Sequence, residues 1–425
     1  MQTLVIVASC ESYRTGDFIA AARTLRLNTV IATDAESPFA EPEQQVIVDL
    51  DDPDGAAAAI TSRVPEASAI VAVDDQGVRA VALAAASLGL PANPRSAAAA
   101  TRDKLAMRST LLAAGVQQPL FAAVPPGGLA AAAEQIGLPL VAKPTSLSAS
   151  RGVIRVDDIA DATDTELRIR SIVGDAGGDQ DKPIIAESYI EGAEAVVEGI
   201  LVSGELEVLA IIDKPVPLVG PYFEETMFVS PSRLPEGTQD RIIGTVRSAV
   251  DAVGLRTGPI HAEVRIDENG EVFVIEIAAR SIGGLCGRSL SFGLLAESLE
   301  SLVIRSALGL TREFASPAKP ATGVMMLPTA AEGVLSEVSN IDEARAIDGV
   351  DGIEITVAPG RSVRPLPEGD RYLGFVFASG LTPSDVERSL AKAASTLDVV
   401  IDGEYVASDG QSEAAASGFD GAAGA

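Results

Sequence analysis

The amino-acid sequence predicts an α/β region followed by α+β modules: an N-terminal parallel-sheet domain, a small strand-and-helix lobe, a central mixed-sheet domain and a C-terminal strand-rich lobe. Three observations lead there. Over residues 1–95, short apolar or β-branched runs alternate with helical stretches, the pattern of a parallel sheet with helices on its faces. Over 116–205, several strand-like runs accompany only two helical stretches. The segment "GPIHAEVRIDENGEVFVIEIAARSIGG", Gly258–Gly284, alternates polar and apolar residues on both sides of Asn269-Gly270, a strong hairpin signal.

In chain order, residues 1–95 carry strand runs at Leu4–Ala8, Thr29–Ala32, Gln45–Asp49 and Ala69–Val73, with helical stretches at Asp17–Arg26 and Gly77–Leu88. No Gly-x-Gly-x-x-Gly follows the first run, so a dinucleotide site is not supported. Residues 96–115 read as a helical connector. The small lobe, 116–205, has strand runs at Gln118–Ala123, Leu140–Pro144, Gly152–Val156, Ile184–Tyr189 and Ala195–Val202, and helical stretches at Leu129–Ile136 and Asp158–Val173. The central domain, 206–310, adds the hairpin and helices Asp240–Val253 and Leu294–Leu308. The C-terminal lobe, 311–406, closes with a helix at Pro383–Ala394 and a strand. The tail 407–425 is Gly, Ala and Ser with scattered acids, a composition expected to be disordered.

Composition narrows the function classes. The 425-residue chain is 47% apolar, enough for a sizeable core, and carries 60 acidic and 32 basic residues, net −28. That charge repels polyanions, so neither nucleic acid nor a membrane surface is an expected partner. No apolar run is long enough to span a bilayer. Val7–Cys10 fits a lipoprotein cleavage pattern, but the preceding apolar run is short and uncharged, so a buried first strand is expected. Only Cys10 and Cys286 are present, far apart, which points to a reducing cytoplasm. Six lysines stand against 26 arginines, so a lysine placed in a motif suggests a need for a compact point charge.

The acidic hairpin is the most informative stretch. Glu263 and Glu276 fall on one face, and Arg280 lies on the same face at its edge. With Asn269-Gly270 as the loop, Glu263 opposes Glu276; a four-residue turn, Asp267–Gly270, shifts the pairing by two but keeps both on that face. Facing carboxylates repel unless a cation sits between them, and two carboxylates plus phosphate oxygens are a usual Mg²⁺ environment. The bland alternative is a solvated polar face.

Lys143 ends an apolar strand and is followed by the loop Thr145–Gly152, with Ser146, Ser148, Ser150, Arg151 and Gly152. Small residues let backbone N–H groups approach phosphates; solvated Ser-rich loops are equally familiar. In "TRDKLAMRSTLLAAGV", Lys104, Met107, Arg108 and Leu111 share one side of a helix. Glu187 through Ile190, with Tyr189, read as a crossover whose free backbone groups can meet an adenine edge. Glu194 is placed for ribose hydroxyls, or is simply an acid of the connector. The Pro-rich stretch Lys214–Pro235, with Glu225, reads as a substrate-lining loop or a surface loop. His261, the sole histidine, reads as a general base or as a support for Glu263. Gly283 and Gly284 would leave amides free for an anion.

The order of these pieces resembles the ATP-grasp superfamily: Asp103-Lys104, Lys143-Pro144 with its loop, Glu187-x-x-Ile190-x-Gly192-x-Glu194, then Glu263 and Glu276-x-Ala278-x-Arg280. "HAEVR", "IEIAARSIGG" and the stretch from "GVMMLPTAAEGVLSEV" to "GFVFASG" are similar to the L-amino-acid ligase branch, whose members form dipeptides. The resemblance implies an ATP-grasp fold and a C–N-forming ligase acting through an acyl-phosphate. Lys104, Lys143 and the Ser146–Gly152 loop would hold ATP phosphates; Glu187, Tyr189, Ile190 and Glu194 would bind adenosine. Glu263 and Glu276 would hold two Mg²⁺ ions, with Mn²⁺ as a substitute. Arg280, with Lys143 and the two acids, would be catalytic; Arg280, Gly283, Gly284, Lys214, Glu225 and His261 would line the substrates. Small-molecule amino acids and a homodimer fit the resemblance. Ala278 departs from the Glu-x-Asn pattern of many superfamily members and leaves one metal ligand unassigned. A biotin-carboxylase-like or purine-pathway ligase, and a non-catalytic nucleotide-binding subunit, are the rival readings.

Overall fold

The computed structural model describes residues 2–292, 294–310 and 320–406; the tail at 407–425 lies outside them. The first strand, Thr3–Val7, is buried on both faces and sits inside a parallel sheet between Asn28–Thr33 and Ala69–Ala72, with Gln45–Ile47 at one edge. Its alternation assigns the layers. Val5 and Val7 pack with Ala56, Ile60, Ala80 and Ala84 from helices Pro53–Arg63 and Val78–Ser87. Leu4 and Ile6 pack with Phe18 and Ala22 from helix Thr15–Thr24 and with Val303 and Ile304 from helix Leu299–Ala307. Sequence reasoning passed over the Pro53–Arg63 helix because its alanines show little periodicity; Asp52 caps it by accepting from the Gly55 N–H.

The connector forms two helices, Arg95–Ala100 and Lys104–Ala113, the second capped by Asp103. The small lobe is an antiparallel sheet in the order Phe121–Val124, Ile184–Ser188, Leu140–Lys143, Ile154–Val156. Helices Leu129–Ile136 and Ala162–Asp175 supply Leu129, Ala133 and Ile169 to its core.

Two expected divisions are not divisions of the hydrogen-bonded structure. The strand Ala193–Val202, assigned by sequence to the small lobe, pairs with Gly258–Ile266 and Glu205–Asp213. The central and C-terminal regions share one eight-stranded antiparallel sheet that continues through Met227–Ser230 and Ala321–Leu327 to Gly374–Gly380 and Val350–Ile355. Met227–Ser230 corrects the reading of Lys214–Pro235 as loop throughout: its four buried residues are too few for a periodic signal. Helix Glu236–Val253 covers one part of this sheet, and helix Pro383–Thr396 another. Among the described residues, no helix is long and apolar enough to cross a membrane.

Candidate functional site

The acidic hairpin occupies the sheet edge, with Val272–Ala278 outermost. Glu263 pairs directly with Glu276, but not by the two-residue turn that Asn269-Gly270 suggests. Asp267 organises a longer turn: its N–H donates to Glu271, and its carboxylate accepts from the Asn269 and Glu271 N–H groups. Ile266 then pairs with Val272, and Val264 with Val274. Continuing that register would place Ile275 opposite Glu263. A β-bulge at Ile275 absorbs one residue and restores Glu276 to the position facing Glu263, because one extra residue moves every later side chain to the other face.

Cations surround this acidic pair. The Lys104 ammonium lies 3.4 Å from Glu276 and donates to the Leu147 carbonyl at 2.9 Å. The Lys214 ammonium lies 3.4 Å from Glu263, 2.5 Å from Glu194, and also pairs with Glu225. Glu194, Glu225 and Glu263 each bring an oxygen within 4.8 Å of the others. Lys214 touches all three carboxylates, so that cluster already contains its cation. Burial disfavours the Lys214 ammonium, but Glu194, Glu225 and Glu263 outweigh it and raise its pKa well above the usual value.

His261 has both ring nitrogens committed: Nδ1 lies 3.0 Å from Glu198 and Nε2 lies 3.4 Å from Glu263. Glu198, fully buried, also accepts from the Ile282 N–H. Burial opposes the imidazolium, but hydrogen bonds to Glu198 and Glu263 prevail and raise the pKa to about 9. With both ring nitrogens engaged by acids, His261 is placed to support Glu263.

On the opposite wall, Lys143 is buried and its ammonium lies 2.7 Å from Glu187. Burial alone would raise the Glu187 carboxyl; Arg108 and Lys143 outweigh it and bring it down to about 2. Glu187 lies inside the strand Ile184–Ser188, not in a crossover, and its carboxylate is taken by Lys143 and Arg108. It therefore orients Lys143. Two hinge groups expected to be free are also used: the Tyr189 N–H donates to Pro139, and the Ile190 carbonyl accepts from Arg265 at 2.7 Å. Arg265 also donates to Glu194 at 2.8 Å, so Glu194 is held between Arg265 and Lys214. The Tyr189 ring lies between Arg155 and Arg265, whose guanidinium carbons are 4.2 and 5.0 Å from its centroid.

The phosphate loop is tied to its surroundings by side chains. Ser148 donates to Asp75 at 3.0 Å, and the Ser146 carbonyl accepts from Arg102. Ala149 and Ser150 both hold positive φ, 57° and 54°, a costly conformation for residues with a Cβ. Gly152 follows at φ 71°, where a Cβ would meet Pro144 at 2.9 Å; its N–H donates to Pro367. Arg151 reaches toward Asp370 at 3.9 Å, and its buried Nε has no partner among the described residues.

Arg280 donates from Nε to Asp75 at 2.9 Å. Burial would raise the Asp75 carboxyl, but Arg280 and then Arg102 hold it well below the usual range. Asp75 thus links the phosphate-loop serine to Arg280 from the N-terminal domain. Sequence reasoning missed it, since Arg280 stands 205 positions away and Asp75 sits in no motif. Gly283 lies beside Arg280, a Cβ there standing 4.0 Å from the guanidinium. Gly284 holds φ 59°, with Phe375 2.8 Å from where its Cβ would be.

Comparison with known proteins identifies two domains in the chain. Residues 136–289 match the ATP-grasp domain family, and residues 325–402 match the L-amino acid ligase C-terminal domain 2. Alanine–anticapsin ligase of Bacillus subtilis (strain 168) is 32% identical over 234 residues, covering 51% of this chain and 49% of that protein. A D-alanine–D-alanine ligase of a Polaromonas species is 26% identical over 200 residues, covering 44% of this chain and 56% of that protein. The chain thus spans about half the length of the curated relatives it matches. The crystal structure of an L-amino acid ligase from Bacillus licheniformis superposes with a TM-score of 0.78 at 24% identity, covering 94% of this chain and 99% of that one. Phosphoribosylglycinamide synthetase from Anaerococcus prevotii gives 0.69 at 16% identity, with the same coverages. The chain carries an ATP-grasp domain over residues 136–289 and the L-amino acid ligase C-terminal domain 2 over residues 325–402.

Proposed function

We propose that the chain is an ATP-dependent carboxylate–amine ligase. It joins an amino-acid carboxylate to an amine, that of a second amino acid, through an acyl-phosphate, releasing ADP and phosphate. The observation that carries this reading is the in-register pair Glu263–Glu276, with Lys104 3.4 Å from Glu276 and the Lys143–Glu187 pair joined to the same hairpin through Arg108. The names of the relatives, an alanine–anticapsin ligase and an L-amino acid ligase, support it.

A carboxylate is inert toward amines until one of its oxygens becomes part of a leaving group. Two partly exposed carboxylates on one sheet face suit a hard divalent cation whose remaining ligands are phosphate oxygens and water. Glu263 and Glu276 would hold such ions, two Mg²⁺ with Mn²⁺ able to replace them; Ala278 offers no side-chain oxygen. Bound there, the metal supplies charge neutralisation for phosphoryl transfer. Lys143 and Lys104 bind phosphate oxygens as point charges, and Arg151 offers its unpartnered Nε. Arg280, oriented by Asp75, holds the reacting carboxylate through its remaining donors. The loop over 145–152 excludes water from the activated carboxyl. We place the protein in the cytosol, where its two free cysteines stay reduced.

Release of phosphate from ATP and Mg²⁺ is measured with pools of amino acids. Release that requires both a carboxylate and an amine donor is expected. Bicarbonate-dependent release would replace this reading with a biotin-carboxylase-like or purine-pathway ligase. ATP binding without turnover would make the chain a nucleotide-binding subunit.

A further inference from the structure

Arg108 has no role in the chemistry described so far, yet it is the largest fully buried side chain of the described residues. Its guanidinium has five N–H donors, and five contacts meet them. Nε and NH2 form a fork on Glu187, at 2.8 and 3.1 Å. NH1 donates to the Val274 carbonyl at 2.8 Å and contacts the Gln118 side-chain oxygen at 3.5 Å. NH2 donates to the Ile275 carbonyl at 2.7 Å. Gln118 returns a bond to the Arg108 carbonyl at 2.8 Å.

These acceptors come from two walls of the site. Glu187 is the partner of Lys143 on the small-lobe sheet. Val274 precedes and Ile275 forms the bulge that turns Glu276 toward Glu263. A bulge leaves ladder groups unpaired, and a buried carbonyl without a donor is costly. We propose that Arg108 is a positioning residue: by capping the bulge carbonyls and clamping Glu187, it sets the spacing between the phosphate-binding Lys143 and the metal-binding Glu276. Only a planar fork with five donors serves both walls; a lysine would keep the charge and lose most of the geometry. The inference rests on the ligase reading for what Lys143 and Glu276 bind.

The test is binding of Mn²⁺ with ADP to the full chain, followed by the Mn²⁺ resonance signal and by calorimetry, beside folding by circular dichroism. In Arg108→Lys and Arg108→Met, Mn²⁺ affinity in the presence of ADP is expected to fall by about 10–100-fold, as for other residues that orient metal ligands. Affinity for ADP without metal should change much less, a split that general destabilisation does not produce. Wild-type-like Mn²⁺ affinity in either folded variant overturns the inference alone. Failure of the wild-type chain to bind Mn²⁺ with ADP overturns the ligase reading, and this inference with it. If neither variant folds, a crystal structure of the wild-type chain with Mg²⁺ and ADP decides: Arg108 still on Val274, Ile275 and Glu187 supports the role, and a detached guanidinium overturns it.

Discussion

The acidic hairpin and the phosphate loop face the same site and are built in opposite ways. The hairpin places Glu263 and Glu276 on paired strands of nine and seven residues, with a bulge whose carbonyls are capped by a buried arginine. The phosphate loop has no ladder of its own between Lys143 and Ile154. It holds two consecutive residues with a Cβ in left-handed backbone and borrows its anchors from Asp75, Arg102, Lys104 and Pro367. Metal ligands need fixed spacing, whereas a loop that admits a nucleotide needs bonds that can be released. Rigidity in this molecule comes from backbone pairing, and closure comes from side chains.

The sharpest way to break this comparison is to defeat the bulge. Inserting one alanine between Ile275 and Glu276 puts the alanine opposite Glu263 and carries Glu276 to the other face of the sheet; it should lower kcat by roughly 10³-fold, comparable to losing a key electrostatic group, with Glu276→Gln as the reference for the same loss. Equal activity in the insertion variant would mean that the facing pair is not required. Phosphate release under saturating substrates measures both.

A smaller effect is expected where the loop meets the C-terminal segment. Glu224 lines that junction with Ala149, Leu366 and Tyr372, and burial pushes its carboxyl up to about 7 from 4.5. Across that interval the folded chain retains a proton that the unfolded chain has lost. Stability contributed by this group therefore falls as pH rises from about 4.5 to 7. Glu224→Gln should flatten this part of the stability profile, measured by urea denaturation at a series of pH values.

Arg168 forks onto Glu368 at 2.7 and 3.0 Å and donates to Tyr222 at 2.6 Å, fastening the small lobe to the same C-terminal segment. The pair is partly exposed, so Arg168→Ala should cost only about 0.5–1 kcal/mol. The smallest effect belongs to Ala149→Gly. Relief of left-handed strain, offset by greater freedom of the unfolded chain, should leave stability within about 1 kcal/mol of the original, read as a shift in thermal midpoint.

The hairpin, the Lys143 strand and the N-terminal alternation of strands and helices were legible because alternation and β-branched runs are local properties. The fully buried strand at Thr3–Val7 was legible for the same reason. The bulge at Ile275 was not, since one apolar residue within "VFVIEIA" looks like any other. The cationic partners of Glu187 and Glu194, Arg108 and Lys214, were not legible because they come from distant segments. Arg108 was visible as a neighbour of Lys104 on its helix, but its carbonyl acceptors lie 166 and 167 positions away. Long-range ion pairs leave no trace in the pattern of one segment.

The most direct measurement follows the carboxylate oxygen. An amino acid with a heavy-oxygen-labelled carboxylate is incubated with the chain, ATP, Mg²⁺ and an amine substrate, and the released phosphate is analysed by mass spectrometry. Transfer of one labelled oxygen to phosphate is the expected result, since an acyl-phosphate breaks on the carbonyl side when the amine attacks. Turnover that yields only unlabelled phosphate would contradict carboxylate activation at this site.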